Sequence, residues 1–312
     1  MAIETFLGIL ESSPQLTVLS VANAGPRLRL DTATLPPATR VIHLHNLKRL
    51  YLAQEAARDV GWVLVHINIP VSADVKITVN FAFSRQTPGP PGLVFDLALP
   101  DHPGFPHLTD PRRCTYAVRH RSACVITAPN FAFNIIWEGP LHGDFDIFMI
   151  PFLRRGMARG SIEDLTVIRD EPATTIVGTV QWGRIFGMLH SLRKLRVEQP
   201  SGKLDLSIWG VFQTLPSLLL QDLRLSFLAF GEEAGDRERF VGNLVDYCAG
   251  RDQRGCRLKR LVIEAPLNPP PNLVLLLAPH VDHLEIREEF STDEDVWALQ
   301  FGSRRMFDLF QM

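Results

Sequence analysis

Apolar residues recur along this chain at the first, fourth and sixth places of short runs. Leu16/Leu19/Val21, Leu47/Leu50/Leu52, Ile162/Leu165/Val167, Leu192/Leu195/Val197, Leu220/Leu223/Leu225, Leu258/Leu261/Ile263 and Val281/Leu284/Ile286 all obey the rule. The fourth and sixth places lie two apart, the period of a strand with one buried face. The runs start roughly 30 residues apart, except for one gap of 115 between Leu47 and Ile162. Three further units of about 29 residues would fill that gap. Alternating runs inside it, Val75/Ile77/Val79, Phe95/Leu97/Leu99 and Phe131/Phe133/Ile135, are the candidates.

A second period precedes several of these strands. Ile3, Phe6, Leu7 and Leu10 stand at i, i+3, i+4 and i+7, one face of a helix. Trp182, Ile185, Phe186 and Leu189 repeat the spacing, as do Ile208, Val211, Phe212 and Leu215. Phe240, Val241, Leu244, Val245 and Cys248 form a broader stripe, separated from its strand by a loop over 249–257. A helix followed by a short strand, repeated about every 30 residues, is a leucine-rich repeat of helical form. One such unit cannot enclose its own apolar residues, whereas stacked neighbours bury them in a continuous core. The predicted fold is therefore α/β, an irregular leucine-rich-repeat solenoid with short parallel strands on the concave side and helices on the convex side. The ninth place, where a regular repeat carries Asn, is Ala24, Glu55, Asp170, Pro200, Leu228, Pro266 and Glu289. The arc is accordingly expected to be uneven.

This pattern divides a single domain over 1–312 into N-terminal repeats (1–83), an irregular strand-rich segment (84–160), C-terminal repeats (161–290) and a capping helix (291–312). The Pro/Gly-rich stretches TPGPPG (87–92) and LPDHPGFPH (99–107) exclude helix interiors from the middle segment. It reads as distorted repeats in preference to a small inserted sheet. Ser291 and Glu294 form a capping box for the last helix. Trp297, Phe301, Phe307 and Phe310 are expected to fold back over the last strand. The first helix, with only Glu4 and Thr5 as polar residues in its stripe, makes a poor cap for a solenoid; the expectation is a truncated chain.

Composition narrows the chemistry. A hydrophobic content of 46% supports a large core, and a net charge of −2 supplies no basic field for nucleic acid. The basic clusters Arg112, Arg113, Arg119, His120, Arg121 and Arg154, Arg155, Arg159 read as solvated loops. Cys114, Cys124, Cys248 and Cys256 have neither C-x-x-C spacing nor metal-spaced histidines nearby, as in a reduced cytoplasmic or nuclear protein. No apolar run has the length of a membrane span, and the N-terminus lacks signal-peptide features.

Three constellations bear on catalysis. His43 and His45 share a face if their run is a strand, without a third metal ligand in sight. His142, Asp144 and Asp146 alternate as acid/base or cation-binding residues do, but also as a half-buried strand does. Cys114, His120 and Cys124 lack any nucleophile motif. No phosphate-binding loop or nucleophile elbow occurs. The expectation is a non-enzyme without catalytic residues, cofactor or metal site; an enzyme built on the middle segment is the remaining alternative of that class.

A binding surface is more legible. Residues flanking the fourth and sixth places point away from the core, among them Lys194, Arg196 and Glu198, Asp222, Arg224 and Ser226, Arg260, Val262 and Glu264, and His283, Glu285 and Arg287. Earlier strands offer Val18, Ser20 and Ala22, then Arg49, Tyr51 and Ala53. Lys194, Arg196, Arg224, Arg260, His283 and Arg287 are the candidate partner-binding residues. Arg196, Arg224 and Arg260 are expected to align on successive strands, a row suited to an acidic or phosphorylated segment. The competing expectation is that Glu198, Asp222 and Glu264 neutralise the row and leave a wet face.

The segments LESSPQLTVLSVANAGP (10–26), LHNLKRLYL (44–52), HINIPVSADVKITV (66–79), WGRIFGMLHSLRKLRV (182–197) and GCRLKRLVIE (255–264) resemble F-box/leucine-rich-repeat-like proteins of mushroom-forming fungi. The resemblance covers most of the chain and is loosest over 84–160. It implies a substrate receptor, in which an F-box docks on the adaptor of a cullin ubiquitin ligase and the repeats hold the target. Here the first repeat helix begins at Ile3, leaving no room for an F-box ahead of it. The expected function is a non-catalytic, leucine-rich-repeat protein–protein interaction scaffold. The alternative is a substrate-recognition subunit of a cullin ligase whose F-box is missing from this chain. The expected partner is a protein, neither nucleic acid nor membrane, with the ubiquitin-ligase adaptor included only if an upstream F-box exists.

Overall fold

A computed structural model describes residues 2–27, 37–54, 56–81, 98–99, 112–119, 123–137, 162–170, 179–203, 219–229, 234–264, 270 and 272–287. The helix expected at Ile208 to Leu215, the capping helix over 291–312 and most of segment 84–160 lie outside them.

Local pattern turns into elements as the two periods require. Helix α1 (Ile3–Glu11) buries Phe6, Leu7 and Leu10. Helices α3 (Thr179–Met188) and α4 (Ala234–Gln253) stand where the stripes at Trp182 and Phe240 predict them. The sequence reading misses α2 (Ala57–Leu64), although Val60, Val63 and Leu64 stand at i, i+3 and i+4 and are all buried. A single turn, α5 (Leu273–Leu277), precedes the last strand.

The strands β1 (Val18–Ala22), β3 (Arg49–Gln54), β5 (Asp74–Phe81), β6 (Arg113–Arg119), β7 (Ala123–Ala128), β8 (Phe131–Trp137), β9 (Asp164–Asp170), β10 (Lys194–Lys203), β11 (Asp222–Ala229), β12 (Arg260–Glu264) and β13 (Leu284–Arg287) form one sheet of 11 strands. Its order is β1-β3-β5-β8-β7-β6-β9-β10-β11-β12-β13. All pairings are parallel except the two made by β7. Two short strands, β2 (Ile42–His43) and β4 (Ile67–Asn68), pair separately.

Register explains the one-four-six spacing. Sixth-place residues meet side by side, and one apolar row crosses the whole sheet. It runs Val21, Leu52, Ile77, Phe133, Ile126, Tyr116, Val167, Val197, Leu225, Ile263, Ile286. Most of these side chains are buried in the core, and Ile286 at the edge is partly exposed. Leu19, Leu50, Val75 and Phe131 form a second row on one flank, and Cys114, Leu165, Leu195, Leu223, Leu261 and Leu284 on the other. Helical residues Phe6, Leu7, Val63, Ile185, Phe240, Leu244 and Leu277 belong to the same core. The described helices therefore cover one sheet face, and the other carries the intervening positions.

The middle departs from the expected serial stack. Strands β6, β7 and β8 are an up-down-up meander inserted with reversed order, so that β8, not β6, continues from β5. Antiparallel neighbours need only tight turns, whereas each parallel step needs a long crossover. The turn at Ala128 to Phe131, with Asn130 at φ 59°, supplies one such connection. The predicted runs at Val75 and Phe131 are adjacent and in register, although 49 residues of chain separate the end of β5 from the start of β8. The described structure is a mixed α/β architecture built on a mostly parallel sheet.

A charged sheet face as the candidate binding site

Between the rows of the core lie positions that face away from the helices, and on β9 to β13 they are mostly charged. The lowest row alternates in sign: Arg113, Asp164, Lys194, Asp222 and Arg260 stand side by side. Arg113 Nε lies 3.3 Å from Asp164 Oδ2, and Lys194 Nζ lies 3.9 Å from Asp222 Oδ2. The next row is Thr166, Arg196, Arg224, Val262 and Glu285. The third is Ile168, Glu198, Ser226, Glu264 and Arg287.

Register corrects the expected arginine row. Arg196 and Arg224 are neighbours, but the residue opposite Arg224 on β12 is Val262, and Arg260 sits opposite Asp222. The three arginines occupy two rows because β12 enters the ladder with Arg260 level with Lys194.

Each of these arginines instead pairs with a carboxylate, Arg224 and Arg260 diagonally across to the next strand. Arg224 grips Glu264 with two hydrogen bonds, Nε to Oε2 at 3.0 Å and Nη2 to Oε1 at 2.6 Å. Ser226 Oγ donates to Oε2 at 2.6 Å and Arg287 Nη1 to Oε1 at 3.2 Å. Glu264 is 0% exposed. A buried carboxylate is tolerated only when its lone pairs are met by charged or polar donors, and here two guanidinium groups and a hydroxyl meet them. Arg260 Nη2 donates to Glu285 Oε2 at 2.8 Å, and Arg287 Nε donates to Glu285 Oε1 at 2.6 Å. These bonds, that of Arg260 foremost, hold the Glu285 carboxyl below its ordinary range. Glu285 in turn raises the Arg287 guanidinium. Arg196 pairs with Glu198 on its own strand. His283 is exposed one position ahead of β13, where its carbonyl accepts from Leu261 N–H at 2.9 Å.

Five of the six candidates, Lys194, Arg196, Arg224, Arg260 and Arg287, are thus joined to carboxylates of the same face. Of the three neutralising acids expected, Glu198 pairs with Arg196, Glu264 with Arg224 and Arg287, and Asp222 with Lys194. Sequence reasoning misses the part played by Glu285 and Ser226 and the complete burial of Glu264. An acidic residue closing a strand carries no local sign of either.

The other predicted constellations fall apart or lie elsewhere. Cys114 and Cys124 point into the core, where burial pushes both thiols up to about 12. His120, His142, Asp144 and Asp146, and the basic cluster at Arg154, lie outside the described residues. Among the described residues, no group of three or more His, Cys, Asp or Glu side chains is arranged to hold a metal ion. No described helix is long and apolar enough to cross a membrane. His43 and His45 are exposed with their rings 5.6 Å apart. Toward the middle of the sheet the open face changes character, since Ala117, Val125 and Ile168 form a small buried apolar cluster there.

No protein-family model matches the chain, nor does any curated protein or solved structure.

Proposed function

We propose that this chain is a non-catalytic protein-interaction scaffold of leucine-rich-repeat type, whose binding surface is the open charged face of β9 to β13. The observation that carries the reading is the one-sided layering. Helices and the apolar rows occupy one face of the sheet, and on β9 to β13 ranked, largely ion-paired side chains occupy the other. The seven one-four-six runs supply β1, β3 and β9 to β13, each entering the ladder at the same register, as repeats of one unit do.

Such a face suits recognition. Side chains already held by neighbours lose little freedom when a partner arrives, so more of the contact energy appears as affinity. Alternating charges specify orientation, because a partner displaced by one strand meets like charges.

A photo-crosslinking residue placed at Lys194 or Arg260, whose side chains are 58% and 48% exposed, tests the reading. The same residue at Glu238 or Arg239 on the exposed side of α4 serves as control. The expected result is one partner captured from both sheet positions and lost from both in the presence of excess unlabelled protein. Capture from α4 alone overturns the assignment of the face. Replacing Lys194 and Arg260 with Ala should weaken capture at least tenfold, while these exposed pairs cost stability at most about 1 kcal/mol each.

A further inference from the structure

The histidine pair at the end of β2, His43 on the strand and His45 in the turn that follows, is left unused by the interaction surface, and its setting is more ordered than that of two loose surface imidazoles. Ile42 N–H donates to His66 O at 2.8 Å and Leu44 N–H to Asn68 O at 2.9 Å, so the backbone on both sides of His43 is held by β4. Ile42, Leu44 and Leu47 are buried. Alternation about Leu44 then presents His43 and His45 on the same outer side, with their rings 5.6 Å apart and inclined by 14°. Asn68, opposite His43 in the β2–β4 pair, places its amide Nδ2 at 3.2 Å from His43 Nδ1.

We propose that His43 and His45 form a two-nitrogen site for a late first-row divalent metal ion, Cu2+, Ni2+ or Zn2+, with Asn68 as its positioning residue. Reach permits it. An imidazole nitrogen binds such an ion at about 2.0–2.1 Å, and the ring centre lies about 1.1 Å further back, so two rings on one ion stand at most ~6.4 Å apart. The observed separation of 5.6 Å falls inside that limit without backbone movement. It corresponds to an angle at the ion of about 120°, within the range of four-coordinate sites. The stacked rings need only turn about their outer torsions, a motion free to exposed side chains. Water fills the remaining positions.

In the structure the Asn68 amide presents Nδ2 to His43 Nδ1. A half-turn of the amide brings Oδ1 there instead, where it accepts the hydrogen bond from Nδ1–H and leaves the Nε2 lone pair outward, the arrangement that fixes tautomer and ring angle in metal-binding histidines. Imidazole donors select Cu2+, Ni2+ and Zn2+ over Ca2+ and Mg2+, which prefer oxygen, and Cu2+ is held most tightly.

The test is titration of the untagged full chain with Cu2+ alone, read by calorimetry and by nitrogen hyperfine coupling in the copper resonance spectrum. The expected result is one ion with two coupled imidazole nitrogens, bound at least tenfold more weakly by His43→Ala and by His45→Ala. Asn68→Leu should weaken it by about tenfold or more, as loss of an orienting partner does. Metal-free unfolding midpoints of the variants report intact folding, and His43→Asn with His45→Asn repeats the comparison with side chains of closer shape. Absence of binding, an affinity unchanged by the two histidine substitutions, or a loss with only one of them overturns the paired site.

Discussion

Glu264 concentrates the physics of this molecule in one side chain. A carboxylate without exposed surface survives because Arg224, Arg287 and Ser226 surround it. Removing one partner is expected to cost more than the pair is worth, because the carboxylate stays buried. Arg224→Ala should therefore lower stability by about 3–5 kcal/mol, and Arg224→Met combined with Glu264→Leu should recover most of that loss. Urea unfolding of the two variants and the parent protein measures it. Asp252 and Glu285 give the acid response. Arg257 and then His280 hold the Asp252 carboxyl below its ordinary range, as Arg260 and Arg287 do for Glu285. Both are depressed in the folded state, so their contribution is complete above the unfolded carboxylate values and disappears as the pH falls through the folded ones. Stability should decline as the pH falls below about 5, through the unfolded carboxylate range and on toward the depressed folded values, and Asp252→Asn with Glu285→Gln should flatten that slope. The residue types on this face were legible from the alternation around each strand. Their partners were not, because a diagonal contact such as Arg224 to Glu264 requires knowing that β11 and β12 are neighbours and in which register.

Elements show the same division. Helix α4 ends at Gly255, φ 70°, with Cys256 N–H bonded to Arg251 O at 3.0 Å and Gly255 N–H to Asp252 O at 2.9 Å. This is the left-handed glycine stop that terminates many helices. Gly255→Ala has open space for its methyl group, so its cost is conformational alone, about 1–2 kcal/mol. A fall well outside that range in thermal unfolding would show that the terminus is held by something other than backbone geometry. Apolar periodicity located α1, α3 and α4 because each buries a stripe of several turns. It passed over α2, whose stripe is little more than one turn long. Strand positions were legible for β1, β3, β5, β8 and β9 to β13. Strands β6 and β7 lie where the basic cluster at Arg113 to Arg121 reads as a loop, and the reversed direction of β7 leaves no trace, since alternation reads the same from either end.

At the scale of the molecule, the continuous apolar row binds the strands into one cooperative layer. Leu225 sits within it at 0% exposure, between Val197 and Ile263. Leu225→Ala should destabilise by about 2–5 kcal/mol, the cost of a cavity among well-packed neighbours. The cysteines offer an independent probe of the whole fold. Cys114, Cys124 and Cys248 are buried with thiols pushed up to about 12, whereas Cys256 is partly exposed. At pH 8 only about one in ten thousand of a thiol with that value is ionised, so alkylation is blocked by chemistry as well as access. In native protein Cys256 should react first and the other three only on unfolding. Rapid labelling of Cys114 or Cys124 in folded protein would contradict the placement of β6 and β7 in the sheet interior.

The sequence by itself determined where most strands of the sheet and several helices form and which residues leave the core, because both are governed by periodicities within a few residues. It also carried the common register of the flanking strands, since each run presents the same spacing. Tertiary structure alone decided the neighbour order β5-β8-β7-β6-β9, the displacement of Arg260 from the other arginines, and the burial of Glu264. These depend on contacts between residues far apart in the chain, and no local pattern encodes which of many compatible strands will lie alongside.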